Sequence, residues 1–216
     1  MEPKKISKAM LNRLPGYLNY LKSLPEDAAA NISATTMAKA LGLGDVQVRK
    51  DLAMVSSGGR RKIGHLREAL ISDIEMFLDH HHVTNSVLVG VGKLGQALMD
   101  YDGFEVYGLN ILAGFDADPA RTSKTRGKPV YTMDRLADYC REQEVPMGII
   151  AVPAAHAQKV CDQMVACGIR AIWNFAPTHL KVPDHILVQN ENLAISLTAL
   201  RMRLRHRDDP DSLILT

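Results

Sequence analysis

The spacing of apolar positions changes about a third of the way along the chain. Up to about residue 81 they recur every three or four residues; beyond that, short unbroken apolar runs alternate with helical stripes. Residues 7–13 read as a first helix. Pro15 stands where a first helical turn tolerates it, opening a second with the stripe Tyr17, Leu18, Leu21 and Leu24. Residues 25–31 read as a loop. Ser33 is placed to N-cap a helix over 34–41, with Met37, Ala40 and Leu41 inward, and Gly42 supplies a tight turn. Asp45 is placed to cap a helix to about Val55, stopped by Ser56-Ser57-Gly58-Gly59. An amphipathic helix follows over 66–81.

From there the pattern predicts strands over 87–89, 109–115, 147–152 and 170–174. Helices over 93–101, 133–143 and 153–167 alternate with them. This alternation implies an α/β fold with a parallel sheet and right-handed crossovers. A last helix over 192–207 carries Leu193, Ile195, Leu197, Leu200 and Leu204, more apolar surface than a free terminal helix should expose. Its end holds Arg201, Arg203, Arg205 and Arg207, cations suited to the negative end of the helix dipole.

The first strand and helix of the α/β part enclose Gly90-Val91-Gly92-Lys93-Leu94-Gly95, a G-x-G-x-x-G run in the setting a dinucleotide requires. Gly90 permits the turn, Gly92 the approach of a pyrophosphate, and Gly95 close helix–strand packing, with the helix N-terminus and Lys93 adding positive charge. The next strand ends on Asp116, 21 positions after Gly95. A carboxylate there accepts from both ribose hydroxyls and repels a 2′-phosphate, which favours NAD(H) over NADP(H). The bland alternative is a carboxylate that caps the turn Asp116-Ala117-Asp118-Pro119.

Charge separates the two parts. Residues 1–65 carry eleven Lys/Arg against five Asp/Glu, leaving fifteen against nineteen for the rest. A small basic unit joined to a larger acidic one points to a polyanion partner. The helices over 34–41 and 45–55 have helix-turn-helix proportions. On the second, Val48, Leu52 and Val55 face inward, and Gln47, Arg49 and Lys50 are left for bases or phosphates. Glycines around Arg60, Arg61 and Lys62 fit a β-wing on the DNA backbone.

Several classes are excluded or disfavoured. There is no apolar run of the ~18 residues a membrane span needs, and no secretory h-region at the start. Cys140, Cys161 and Cys167 fit a reducing cytosol rather than a disulfide framework. His80-His81-His82 diverge around a helix end, so no metal site is expected. An enzyme needs an acid–base group beside the nicotinamide, yet His156, His179 and His185 have no partner group to name, and no substrate domain remains.

Taken together, these segments resemble the Rex family of redox-sensing repressors over nearly the whole chain. The resemblance runs through Ile6-Ser7-Lys8-Ala9, Arg13-Leu14-Pro15-Gly16-Tyr17, Val48-Arg49-Lys50-Asp51-Leu52 and the glycine loop. It continues through Ala113-Gly114-Phe115-Asp116, Pro129-Val130-Tyr131, Ala151-Val152-Pro153-Ala154 and Asn174-Phe175-Ala176-Pro177. It implies a winged-helix domain over 1–80, a Rossmann domain over 81–190 and, over 191–216, a helix and tail exchanged between the protomers of a homodimer. NADH and NAD+ are the implied cofactors, and operator double-stranded DNA, released by NADH in a cytoplasmic setting, is the implied partner. Tyr131, Val152, Pro153 and Asn174 join the glycine loop and Asp116 as implied cofactor residues. Arg13, set against Glu191 and Asn192, is the implied switch. Ala53-Met54-Val55-Ser56 and Arg61-Lys62-Ile63-Gly64-His65 depart from the family's usual recognition-helix and wing sequences, and Asn192 stands where an aspartate is usual. Two other readings are a CoA-binding Rossmann module with a helical protein-contact domain and a small NAD-dependent dehydrogenase.

Overall fold

In the computed structural model, which describes residues 6–60, 63–79, 82–121, 124–125 and 127–208, the first helix, α1 (Lys8–Ser23), runs unbroken through Pro15. Two helices were expected there. A proline inside an isolated helix costs about 3 kcal/mol. Here Leu14, Tyr17, Leu18 and Leu21 are each at most 1% exposed, and burial of such side chains contributes about 1.5–3 kcal/mol apiece, which outweighs it. Ser7 caps α1, its hydroxyl accepting from the Met10 amide.

The chain divides into two compact units, Met1–His82 and Val83–Thr216. In the first, a short strand β1 (Asn31–Ile32) leads into α2 (Ala34–Leu41), capped by Ser33 and ended by Gly42 at φ +64°. Then comes α3 (Asp45–Val55), whose N-cap is Gly44 rather than Asp45. Asp45 is instead the first helical residue, accepting from the Thr35 hydroxyl and pairing with Arg49 at 2.6 Å. Strand β2 (His65–Leu66) pairs antiparallel with β1, and α4 (Arg67–Phe77) closes the unit. Leu70 and Ile74 of α4 pack with Met37, Val48 and Leu52 in one core. Four helices, a two-stranded ribbon and the hairpin leading into β2 make this a winged helix.

The second unit starts with β3 (Thr84–Val89), α5 (Lys93–Met99) and β4 (Leu109–Asp116). It continues through β5 (Lys124–Thr125), β6 (Lys128–Thr132), α6 (Leu136–Glu142), β7 (Met147–Ile150), α7 (Ala154–Ala166), β8 (Ala171–Asn174), β9 (Leu187–Asn190) and α8 (Leu193–Asp208). The strand order is β5-β6-β4-β3-β7-β8-β9, parallel except for β5 at the edge. The order runs outward from β3 in both directions, as in a Rossmann fold, and puts the ligand crevice beyond the carboxyl ends of β3, β4 and β7. Alternate residues of β3 serve the two faces. Val87 and Val89 join α6 and α7 in one core; Leu88 joins Val91, Met99, Ile111 and Ile149 in the other.

Cys140 and Cys161 are buried and Cys167 half-buried. Burial pushes the Cys140 thiol up to about 12 and raises the other two, so none is held as a thiolate. On α8, Ile195, Leu197, Leu200 and Leu204 are between 57% and 66% exposed. No helix among the described residues is long and apolar enough to cross a membrane.

Candidate functional site

The glycine loop sits where β3 meets α5, and its shape follows from contacts that only glycine permits. Gly90 has φ +100°, and a Cβ there would lie 2.6 Å from the Ala151 carbonyl oxygen. A Cβ at Gly95 would collide with the Gly90 carbonyl oxygen. Gly95 thus lets α5 close onto the strand, the role its position predicts. Val91 is buried and offers the site only its backbone.

Asp116 clasps this loop. Its Oδ2 accepts from the Val91 amide at 2.8 Å and lies 3.5 Å from Arg121 Nη1; its Oδ1 accepts from the Asp118 amide at 2.9 Å. The turn-capping role therefore exists, and it coexists with a place in the cleft wall, where the remaining lone pairs can take ribose hydroxyls. The cleft, about 630 Å³, is walled by Gly90, Gly92, Lys93, Leu94, Asp116, Val152 and Pro153 from among the anticipated residues.

Two anticipated cofactor residues pack elsewhere. Tyr131 stacks with Phe115 and Tyr139 beneath Arg135. Asn174 is fully buried: its amide nitrogen donates to Ala176 O, Thr178 O and Asn190 Oδ1, and its oxygen accepts from the Ala176 amide. It ties the segment after β8 to β9. The cleft also gains side chains not anticipated there, among them His156, which the sequence leaves without a partner group. His156, Lys159, Val160 and Gln163 form one face of α7, at the i, i+3, i+4, i+7 spacing that could have revealed them. Arg121 and Met133 stand in the same wall. Among the described residues no cluster of three or more His, Cys, Asp or Glu is set to hold a metal.

On the first unit, α3 presents Val46, Gln47, Arg49 and Lys50 outward, with Val48, Asp51 and Leu52 buried beneath. A groove of about 720 Å³ runs between the start of α2, α3 and the hairpin, lined by Ser33, Thr35, Arg49, Ala53 and Arg60 among others. The hairpin closes through Arg60–Gly64 backbone hydrogen bonds of 2.8 and 2.9 Å. The His65 ring lies near Ser56 Oγ at 3.3 Å, and burial lowers its pKa. Arg61, Lys62, His80 and His81 lie outside the described residues.

Arg13, implied as a switch against Glu191 and Asn192, is engaged within its own unit. Its Nε and Nη2 donate to Asp51 at 2.8 and 3.0 Å, and Tyr17 Oη donates to the same carboxylate at 2.8 Å. Burial alone would raise the Asp51 carboxyl, but the hydrogen bonds from Arg13, Tyr17 and Gln47 outweigh it and hold the pKa below the ordinary value. Burial, aided by Asp51, pushes the Tyr17 phenol up to about 12. Arg13 therefore braces α3 within its own unit. Glu191 accepts from the Trp173 indole at 3.2 Å, and Asn192 accepts from the Ala194 and Ile195 amides at the start of α8.

Comparison with known proteins joins the two units into one identity. Residues 81–178 match the family model described as "CoA binding domain", and residues 5–53 match "Putative DNA-binding protein N-terminus". A redox-sensing transcriptional repressor Rex of Porphyromonas gingivalis is 38% identical over 93% of this chain and 93% of its own; one of Clostridium perfringens is 37% identical over 96% and 99%. Among solved structures, RSP in complex with β-NAD+ and operator DNA has a TM-score of 0.87 at 32% identity, covering 95% of each chain. RSP with β-NADH has a TM-score of 0.85 at 31%, covering 95% of this chain and 97% of that one. With relatives of this identity spanning nearly its full length, the chain belongs to the Rex family of redox-sensing transcriptional repressors.

Proposed function

We propose that this chain is a cytoplasmic, non-enzymatic repressor that binds operator double-stranded DNA as a homodimer and releases it when NADH replaces NAD+ in the Rossmann cleft. The observation that carries the reading is the pairing, on one chain, of a glycine loop clasped by Asp116 with a winged helix whose α3 turns Gln47, Arg49 and Lys50 outward. Arg60 of the hairpin, with Arg61 and Lys62, would lie on the phosphate backbone. The apolar face of α8 supports the dimer, since Ile195, Leu197, Leu200 and Leu204 need a cover; exchange of α8 between protomers would provide one, with Glu191 and Asn192 at its hinge. The match to a CoA binding domain is compatible with a CoA ligand, but a carboxylate at the ribose opposes phosphorylated ribose, and the full-length relatives are repressors.

The deciding experiment is a mobility shift of the full chain on upstream promoter fragments, with NADH or NAD+ titrated in. NADH should release the DNA and NAD+ should not. By linkage, operator must weaken NADH binding by the same factor, and a hundredfold effect corresponds to about 2.7 kcal/mol. DNA retained at saturating NADH would overturn the reading.

Cofactor choice follows from the same cleft. NADH is expected to bind at least about tenfold tighter than NADPH, because a 2′-phosphate meets the Asp116 carboxylate. Asp116→Ala should narrow the gap from both sides, since it also releases Arg121 Nη1, now 3.5 Å from Asp116, toward a phosphate, with Asp118 still holding the guanidinium Nε at 3.6 Å. Equal affinities of the unaltered protein in calorimetry would remove Asp116 from the ribose.

A further inference from the structure

Asp51 lies on the inward side of α3 at 3% exposure and accepts four hydrogen bonds. Arg13 Nε and Tyr17 Oη reach Oδ2; Arg13 Nη2 and Gln47 Nε2 reach Oδ1, the last at 2.8 Å. An ionised carboxylate only accepts, so each neighbour must turn a donor toward it. For Gln47 this settles the orientation of the side-chain amide. Its nitrogen is drawn to Asp51, one helical turn further on, and its oxygen is left as the outward end. Gln47 is itself exposed, on the same face as Val46 and Lys50.

Resting on the reading of α3 as the recognition helix, we infer that Asp51 is a positioning residue that makes Gln47 an acceptor toward DNA. Gln47 recognises an exocyclic amino group in the major groove, which adenine N6 and cytosine N4 both supply. Guanine and thymine present only acceptors in that groove and give the Gln47 oxygen nothing to receive. A charge-assisted hydrogen bond such as Gln47–Asp51 contributes as much as a base contact does, so the orientation is kept when DNA arrives. The division of labour on α3 then follows. Lys50, a donor, suits guanine, and Gln47 suits the amino-bearing base.

The test uses the full chain. The preferred site is enriched from random duplex DNA for the unaltered protein and for Gln47→Met, Gln47→Glu and Gln47→Lys. Gln47→Met should lose preference at one base pair by about fivefold or more. Gln47→Glu, still an acceptor, should keep the same preference at reduced affinity, and Gln47→Lys should shift it toward guanine or thymine. In the enriched site, replacing adenine by purine or cytosine by 2-pyrimidinone at that pair deletes the amino group and tells the two sources apart. The deletion should weaken the unaltered protein and leave Gln47→Met unchanged. Asp51→Ala frees the amide and should relax the preference, with no further change in Asp51→Ala/Gln47→Met; should that variant not fold, the Gln47 series and the base deletions decide. A protein that enriches one sequence with or without Gln47, or a Gln47-dependent contact that survives loss of the amino group, overturns this inference alone. A protein that enriches no sequence removes the repressor reading and this inference with it.

Discussion

Gly95→Ala is expected to yield a protein that holds operator DNA at every NADH concentration. The added methyl group has no room, because its nearest neighbour is the Gly90 carbonyl oxygen, a backbone atom with Leu88 behind it. Overpacking of this kind costs about 1–3 kcal/mol even where side chains can adjust, and here the loop itself must move. NADH affinity should fall by about hundredfold or more, equivalent to about 2.7 kcal/mol. The winged helix is a separate unit with its own core, so DNA affinity without NADH should stay within about threefold, a span that corresponds to well under 1 kcal/mol. Gly92→Ala is the control: its Cβ would meet only the flexible end of Arg121, at 3.3 Å, and should weaken NADH far less. A Gly95→Ala protein that releases DNA at the usual NADH concentration would show that the signal enters elsewhere.

Arg13→Ala should injure the DNA-binding unit while sparing the cofactor. The Asp51 side chain is 4% exposed and Arg13 supplies two of its four hydrogen bonds. Arg13 keeps 22% of its side chain exposed, so its removal should cost less than the about 3–5 kcal/mol typical of a fully buried pair, yet it leaves the buried carboxylate charge uncompensated. Thermal unfolding of the first unit should move down by many degrees and operator affinity should fall more than about tenfold, a loss of about 1.4 kcal/mol in binding, with NADH affinity unchanged. Acid sensitivity supplies an independent readout. A carboxyl held below its ordinary pKa stabilises the fold above that ordinary value, and the contribution disappears as pH falls through the lowered one. Without Arg13 the carboxyl loses the largest of the hydrogen bonds that oppose burial and titrates higher than before, so the acid midpoint of unfolding, followed by circular dichroism, should move to higher pH. An unmoved midpoint would mean that Arg13 does not hold Asp51 ionised.

The parts of this molecule that could be read from sequence are those governed by local rules. Gly90, Gly95 and Asp116 sit at fixed spacings because a tight turn, a close helix–strand contact and the carboxylate that clasps the turn impose them, and Ser33 and Gly42 bound α2 through ordinary cap chemistry. What escaped depends on tertiary partners. Pro15 read as a helix start because the burial of Leu14 and Tyr17, which keeps α1 whole, has no local signature. Strand β6 was hidden by Pro129, which weakens a strand reading, and β9 by its short Leu187–Asn190 span with three exposed positions. Tyr131 and Asn174 were placed at the cofactor through resemblance alone, and the ring packing and buried amide network they join have no local signature in the sequence. Arg13 and Asp51 are 38 positions apart, and nothing in either segment announces the other.

Trp173 is the only tryptophan in the chain. Its indole N–H donates to Glu191 at 3.2 Å, at the root of α8, and its ring lies between Phe104 and Phe175. The protein therefore carries its own optical probe. Tryptophan emission comes from one indole, and its colour responds to the surroundings of that hydrogen bond, which a rearrangement of the α8 root would alter. NADH absorbs where tryptophan emits, so NADH bound in the cleft is expected to dim the same signal. In stopped-flow, dimming and colour shift would arrive as two time courses from one unlabelled chain, and their order would tell whether the nucleotide induces the movement or selects it.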